Sequence, residues 1–195
     1  MTELNREQDG ARPISGRAFL KRRALVLPGL TAQLIFWPLM TAGFVLDLWS
    51  KKAVFDRLQQ QQTGSVSIID GFLRLVMAEN AGAAFGIATG RTHLLVALSV
   101  IALVVIFAVF LLGRAEQKLA HVALGLFAAG ICGNLYDRIF NNGLVRDFID
   151  VVYWPGKHWP AFNVADTMLC VGVGLIIVSG FFTGKSSRKR AQQHK

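Results

Sequence analysis

Four stretches of this 195-residue chain contain no Asp, Glu, Lys or Arg: Ala24–Leu46, Leu94–Leu112, Leu119–Leu135 and Thr167–Gly184. A helix needs about 20 apolar residues, at 1.5 Å rise each, to cross the hydrocarbon core of a bilayer. The first two runs meet that length, and the other two reach it if polar residues at their ends sit in the interface. Charged residues make up 17% of the chain, well below the ~25% of a soluble domain. Such a chain has too little polar surface to cover four buried apolar helices in water. The expected fold is therefore an all-α membrane bundle of four transmembrane helices, with spans near 24–46, 94–112, 119–136 and 167–184. Residues 24–184 form one membrane domain between basic tails at 1–23 and 185–195. The first run is too long for the apolar core of a signal peptide, begins after a 23-residue tail and lacks an A-x-A cleavage site. Pro38, inside it, is expected to kink the helix.

Basic residues set the orientation. The two tails and the short connection between the second and third runs hold thirteen Lys and Arg, against eight spread over the two long connections, 47–93 and 137–166. Positive charge stays in the cytoplasm, which places both termini inside and both long connections outside. Topology and contact with anionic membrane lipids explain the basic tails without invoking nucleic acid. The segment from Ser65, VSIIDGFLRLVMAENAGAAFG, alternates short β-branched and apolar runs broken by Gly71. It predicts a small extracytoplasmic β-element on the membrane surface. The Gly82/Gly86 spacing lacks the apolar 20-mer of a dimerisation helix and fits a close backbone approach.

Familiar catalytic signatures are missing. No H-E-x-x-H, G-x-S-x-G or phosphate-cradling loop occurs, the four histidines lack metal-ligand spacing, and Cys132 and Cys170 fall within spans. What stands out is acidic. Eight of the twelve acidic residues fall outside, several at the edges of spans, where carboxylates are costly and serve a pathway or a reaction. Asp147 and Asp166 flank a segment with Pro155, Gly156 and Pro160 that can turn the chain back, so antiparallel third and fourth spans would let them face each other. Two close carboxylates cannot both ionise cheaply, and such a pair can activate water while protonating a leaving group. The residues alone leave alternatives: each aspartate could cap a helix or pair with Arg138 or Arg146, and Asp47, Asp56 and Asp150 could equally be nominated. A proton relay of a small transporter is the rival class, though no inverted repeat and no mid-span charge supports it. An assembly scaffold would leave the carboxylate blocks unexplained.

From about Leu46 to Phe182 the chain resembles the lipoprotein signal peptidase (signal peptidase II) family. The matching blocks are Asp47-Leu48-Trp49-Ser50-Lys51, Asn80-Ala81-Gly82-Ala83-Ala84-Phe85-Gly86, Gly133-Asn134-Leu135-Tyr136-Asp137-Arg138, Val145-Arg146-Asp147-Phe148 and Phe162-Asn163-Val164-Ala165-Asp166. The family usually has glutamine where this chain has Leu48, and its members need a shorter N-terminal tail. The resemblance implies a membrane aspartic endopeptidase with Asp147 and Asp166 as the catalytic pair. Asn80, Gly82, Asn134, Asp137, Arg138 and Asn163 fall on positions that support the site or bind substrate. It also implies a bacterial cytoplasmic membrane, an active site on the outer side, and a substrate that is a prolipoprotein cut before its diacylglyceryl-modified cysteine. No metal or cofactor is expected, and the enzyme is expected to act as a monomer. Asp137 beside Arg138 reads as a structural ion pair, and Asp47 with Lys51, at i and i+4, as a second.

Overall fold

The computed structural model describes residues 27–61, 64–83, 87–113 and 118–193, with side chains through Ser179. The basic N-terminal tail, Gly86, Arg114 and Glu116 lie outside the described residues. Four helices, α1 (Leu30–Gln60), α2 (Thr92–Leu112), α3 (Lys118–Phe140) and α4 (Val164–Gln193), surround one another with α3 in the middle, packed against the other three. Among the described residues, α1, α2 and α3 are long and apolar enough to cross a membrane, and α4 adds a shorter apolar helix, Val164–Ser179. Large apolar side chains such as Leu98, Val104, Val105 and Ile177 are exposed along α2 and α4, the surface a helix presents to lipid.

α1 does not stop where the apolar run ends at Leu46. It continues to Gln60 because a second pattern takes over. Asp47, Lys51, Phe55 and Leu58 are buried on one stripe at helical spacing, while Lys52 and Asp56 pair at 2.8 Å on the exposed side. The connection between α1 and α2 thus begins later than the charge pattern implied. Pro38 sits inside the helix without ending it.

α3 can be central because it is thin. A Cβ added at Gly130 would lie 2.6 Å from the carbonyl oxygen of Ala165 on α4, and one at Gly125 3.2 Å from that of Phe36 on α1. At Gly133 it would collide with the Asp47 carboxylate. Small residues allow this closeness, and helices in lipid depend on it, since no hydrophobic force draws them together there.

The β-element is larger than expected. β1 (Ser65–Ile69) and β2 (Leu73–Asn80) form a hairpin, and β2 pairs antiparallel with β3 (Val145–Trp154), which turns into the short β4 (Lys157–His158). Half of the sheet therefore comes from the connection between α3 and α4. Asn142 and Gly143, both at positive φ (52° and 85°), make the turn that sends α3 into β3, as an Asn-Gly pair does readily. Register places Asn80 opposite Val145 and Ala78 opposite Asp147. After β4 the chain runs back along β3, and Phe162 bridges Ile149 just before α4.

Candidate active site

The carboxylates nominated by sequence now separate into two kinds. Asp47 is fully buried and lies 2.7 Å from the Lys51 ammonium, which is also fully buried. Asp56 pairs with Lys52 at the surface. Asp150 accepts from His158 at 2.9 Å and faces Arg74 at 3.5 Å. Asp137 lies 3.3 Å from Lys51 and 2.5 Å from Arg146. That last contact corrects an expectation: Asp137 pairs with Arg146, not with its neighbour Arg138. Adjacent residues on a helix point about 100° apart, so the two side chains diverge. Arg138 instead donates to the carbonyl oxygens of Gly82 (3.0 Å) and Asn134 (3.4 Å), tying the loop after β2 to α3.

Among the described residues, Asp147 and Asp166 are the two site carboxylates without an ion pair. They are held by amides. Asp147, buried on β3, accepts from Asn163 at 2.6 Å through one oxygen and from Asn80 at 3.2 Å through the other. Asp166, half-buried on α4, accepts from the Asn134 side chain at 2.8 Å and from the backbone N–H of Asn163 at 3.3 Å. Asn163 in turn accepts from the backbone N–H of Asp166 at 2.9 Å. This reciprocal pair is a capping box, with Asn163 at the N-cap and Asp166 three residues on. It puts Asp166 in the first turn of α4, where the helix dipole favours negative charge. Asp47 completes the cap by accepting from the backbone N–H of Ala165 at 2.8 Å.

The three supporting asparagines share this work. Asn134 accepts at its oxygen from Lys51 (3.0 Å) and from Asn163 (3.1 Å). Asn80 fixes its own amide by accepting from the backbone N–H of Gly82 at 2.8 Å. Asn163, fully buried, links Asn134, Asp147 and the Arg146 carbonyl. The eight residues expected at the site, Asp147, Asp166, Asn80, Gly82, Asn134, Asp137, Arg138 and Asn163, therefore lie in one connected cluster. Sequence reasoning set Asp47 and Lys51 aside as a local bridge. Their spacing to Gly133 and Ala165 is invisible without the fold, although a lysine four residues after an aspartate at a span's edge was the available signal.

Electrostatics distinguishes the pair. Burial, then the nearby negative charge of Asp166, push the Asp147 carboxyl up to about 7, against the opposing influence of Asn80, Asn163 and Lys51. A carboxyl that still holds its proton near neutral pH can donate it. Within the cluster, three cations (Lys51, Arg138 and Arg146) meet four carboxylates (Asp47, Asp137, Asp147 and Asp166).

The family model described as signal peptidase (SPase) II matches residues 39–182. A lipoprotein signal peptidase from Geobacter sulfurreducens is 42% identical over 147 residues, covering 74% of this chain and 89% of that protein. One from Clostridium acetobutylicum is 36% identical over 150 residues, covering 77% and 94%. A solved structure described as a bacterial membrane enzyme, determined by the in meso method at 2.3 Å resolution, is 29% identical with a TM-score of 0.65, covering 80% of this chain and 90% of that one.

Proposed function

Because this chain belongs to the signal peptidase II family, we propose that it removes signal peptides from prolipoproteins with an aspartate dyad, Asp147 and Asp166. The family consists of bacterial membrane proteases that act on prolipoproteins, and the membrane-length helices here suit that setting. The finer reading is that the cut falls just before a diacylglyceryl-modified cysteine, on the outer side of the membrane, with both termini in the cytoplasm. A single copy supplies every group in the cluster.

One observation carries the dyad. Among the described residues, every other carboxylate at the site is neutralised by a cation, and only Asp147 and Asp166 are left to exchange protons. Asp166, ionised at the start of α4, takes a proton from a water as the water oxygen bonds to the scissile carbonyl carbon. Asp147 gives its proton to the carbonyl oxygen, so a neutral gem-diol forms. Asp166 then returns its proton to the amide nitrogen as the C–N bond breaks. Asp147 recovers one from the diol, leaving a carboxylic acid and a free amine. Asn163 and Asn134 hold both carboxylates without adding charge, and Arg138 holds the Gly82 loop beside them.

The test is cleavage of a lipidated prolipoprotein by detergent-purified protein, with the new N-terminus read by mass spectrometry. A product beginning at the lipidated cysteine is expected, and none from the unlipidated precursor. Cleavage elsewhere, or equal cleavage of the unlipidated form, would overturn the substrate reading.

A further inference from the structure

We propose that Lys51 is a positioning residue for the catalytic aspartates, acting through the Asn134 amide. This rests on the dyad reading above. An amide can sit in either of two orientations related by a half-turn, and its neighbours choose between them. Here the oxygen of Asn134 faces two donors, the Lys51 ammonium at 3.0 Å and the Asn163 amide at 3.1 Å, and its nitrogen faces the Asp166 carboxylate at 2.8 Å. The flipped orientation would set N–H groups against an ammonium and an amide donor, and an oxygen against a carboxylate. Lys51 supplies the only charged donor in that choice, opposite the Asp166 carboxylate as acceptor. Without it, the Asn134 oxygen keeps one neutral donor, the Asn163 amide.

The ammonium is well placed for this. It is fully buried and three acceptors surround it, Asp47 at 2.7 Å, Asp137 at 3.3 Å and Asn134 at 3.0 Å, one for each of its protons. Its position is thus over-determined by α1 and α3 together. The charged and titratable groups around it are Asp47 on its own helix, Asp137 and Arg138 on α3, Arg146 and Asp147 on β3, and Asp166 on α4. Its positive charge also opposes proton retention at Asp147. Removing Lys51 therefore loosens Asp166 and raises the proton affinity of Asp147 further.

Two substitutions break the same ion pair and separate positioning from scaffolding. Asp47→Asn keeps an oxygen for the Ala165 N–H and leaves Lys51 on Asn134 and Asp137. Lys51→Met removes the ammonium, and because it strands Asp47 it is also made as the double variant Asp47→Asn/Lys51→Met, in which Asp137 retains Arg146. For the folded fraction of each, kcat and KM for a lipidated prolipoprotein are measured across pH, beside thermal midpoints. The expected result is that Asp47→Asn keeps kcat within about threefold, whereas the double variant loses about tenfold or more in kcat at unchanged KM, the split that marks a group acting on the reaction rather than on binding. Its alkaline limb moves to higher pH. Equal kcat in the two variants, or an equal loss in Asp47→Asn alone, would trace the effect to the ion pair and overturn the proposal. Turnover by Asp147→Asn or Asp166→Asn in the same assay would overturn the dyad instead, whatever Lys51 does.

Discussion

Asn163 donates its side-chain amide to Asp147 across 2.6 Å, while its oxygen caps the helix whose first turn carries Asp166. One buried side chain thus sets the relation between a strand and a helix that are joined only through the β4 hairpin. The capping task and the bridging task use different atoms of the same amide, and so they can be separated by mutation.

Asn163→Ser keeps a good N-cap and loses the amide donors. Asn163→Ala loses both. The expected outcome is a large fall in turnover for each, with the Ala variant less stable than the Ser variant by about 1 kcal/mol, the usual value of a cap. Thermal unfolding in detergent, run beside the cleavage assay, checks it. Full activity in the Ser variant would show that the bridge to Asp147 is dispensable.

Asp147→Asn and Asp166→Asn should each abolish cleavage while the protein inserts and folds, since members of a catalytic unit fail together. The replacements are nearly isosteric and can still accept from Asn80, Asn134 or the Asn163 backbone. Turnover above a tenth of the unsubstituted rate in either variant contradicts the assignment.

Acidity gives a third expectation. Asp147 must be protonated to donate, so cleavage should decline as pH rises through about 7, the value to which burial and Asp166 push it. A dyad that works with one proton shared between two carboxylates gives a bell-shaped profile, with apparent values that belong to the pair. Stability follows the same sign. The folded state holds this proton more tightly than the unfolded chain, so the Asp147 contribution is complete below about 4 and is lost as pH climbs to about 7. Asp147→Asn should therefore raise the thermal midpoint above pH 7, with the difference vanishing in acid. A midpoint difference independent of pH would disprove the buried-proton account.

Reporter fusions test the orientation. Fusions after Leu58 and Gly156 should report the outer compartment, and those after Glu116 and Lys195 the cytoplasm, as the distribution of basic residues requires. A cytoplasmic signal at Gly156 would move the site to the wrong side of the membrane for its substrate.

Much of this architecture is legible in the order of the residues. The apolar runs mark the helices because the bilayer demands length and absence of charge, and Asn142-Gly143 marks a tight turn because Gly tolerates positive φ. The limits of α1 are not legible that way. Past Leu46 the helix is held by a stripe of Asp47, Lys51, Phe55 and Leu58 whose burial depends on partners far along the chain. The union of β2 with β3 is hidden for the same reason, since pairing across a long separation leaves no local periodicity. At the site, residue types suggested a carboxylate pair, yet five aspartates fitted the pattern. The family resemblance singled out Asp147 and Asp166, and the fold adds that Asp47, Asp56 and Asp150 each face a cation. The side-by-side order of Asp137 and Arg138 was misleading, because neighbours in sequence on a helix are not neighbours in direction.

The cap on α4 has a consequence for biogenesis. Asp166, Asn163 and the Ala165 N–H that Asp47 receives all belong to the start of α4, which the ribosome makes after α1, α2 and α3. Until that helix enters the bilayer and docks on α3, Asp47 lacks a backbone donor, Asn134 lacks its carboxylate and β3 carries an aspartate with no counterpart. A chain in which α4 is not yet made therefore holds none of the contacts that join Asp166 to Asn134 or the α4 cap to Asp47.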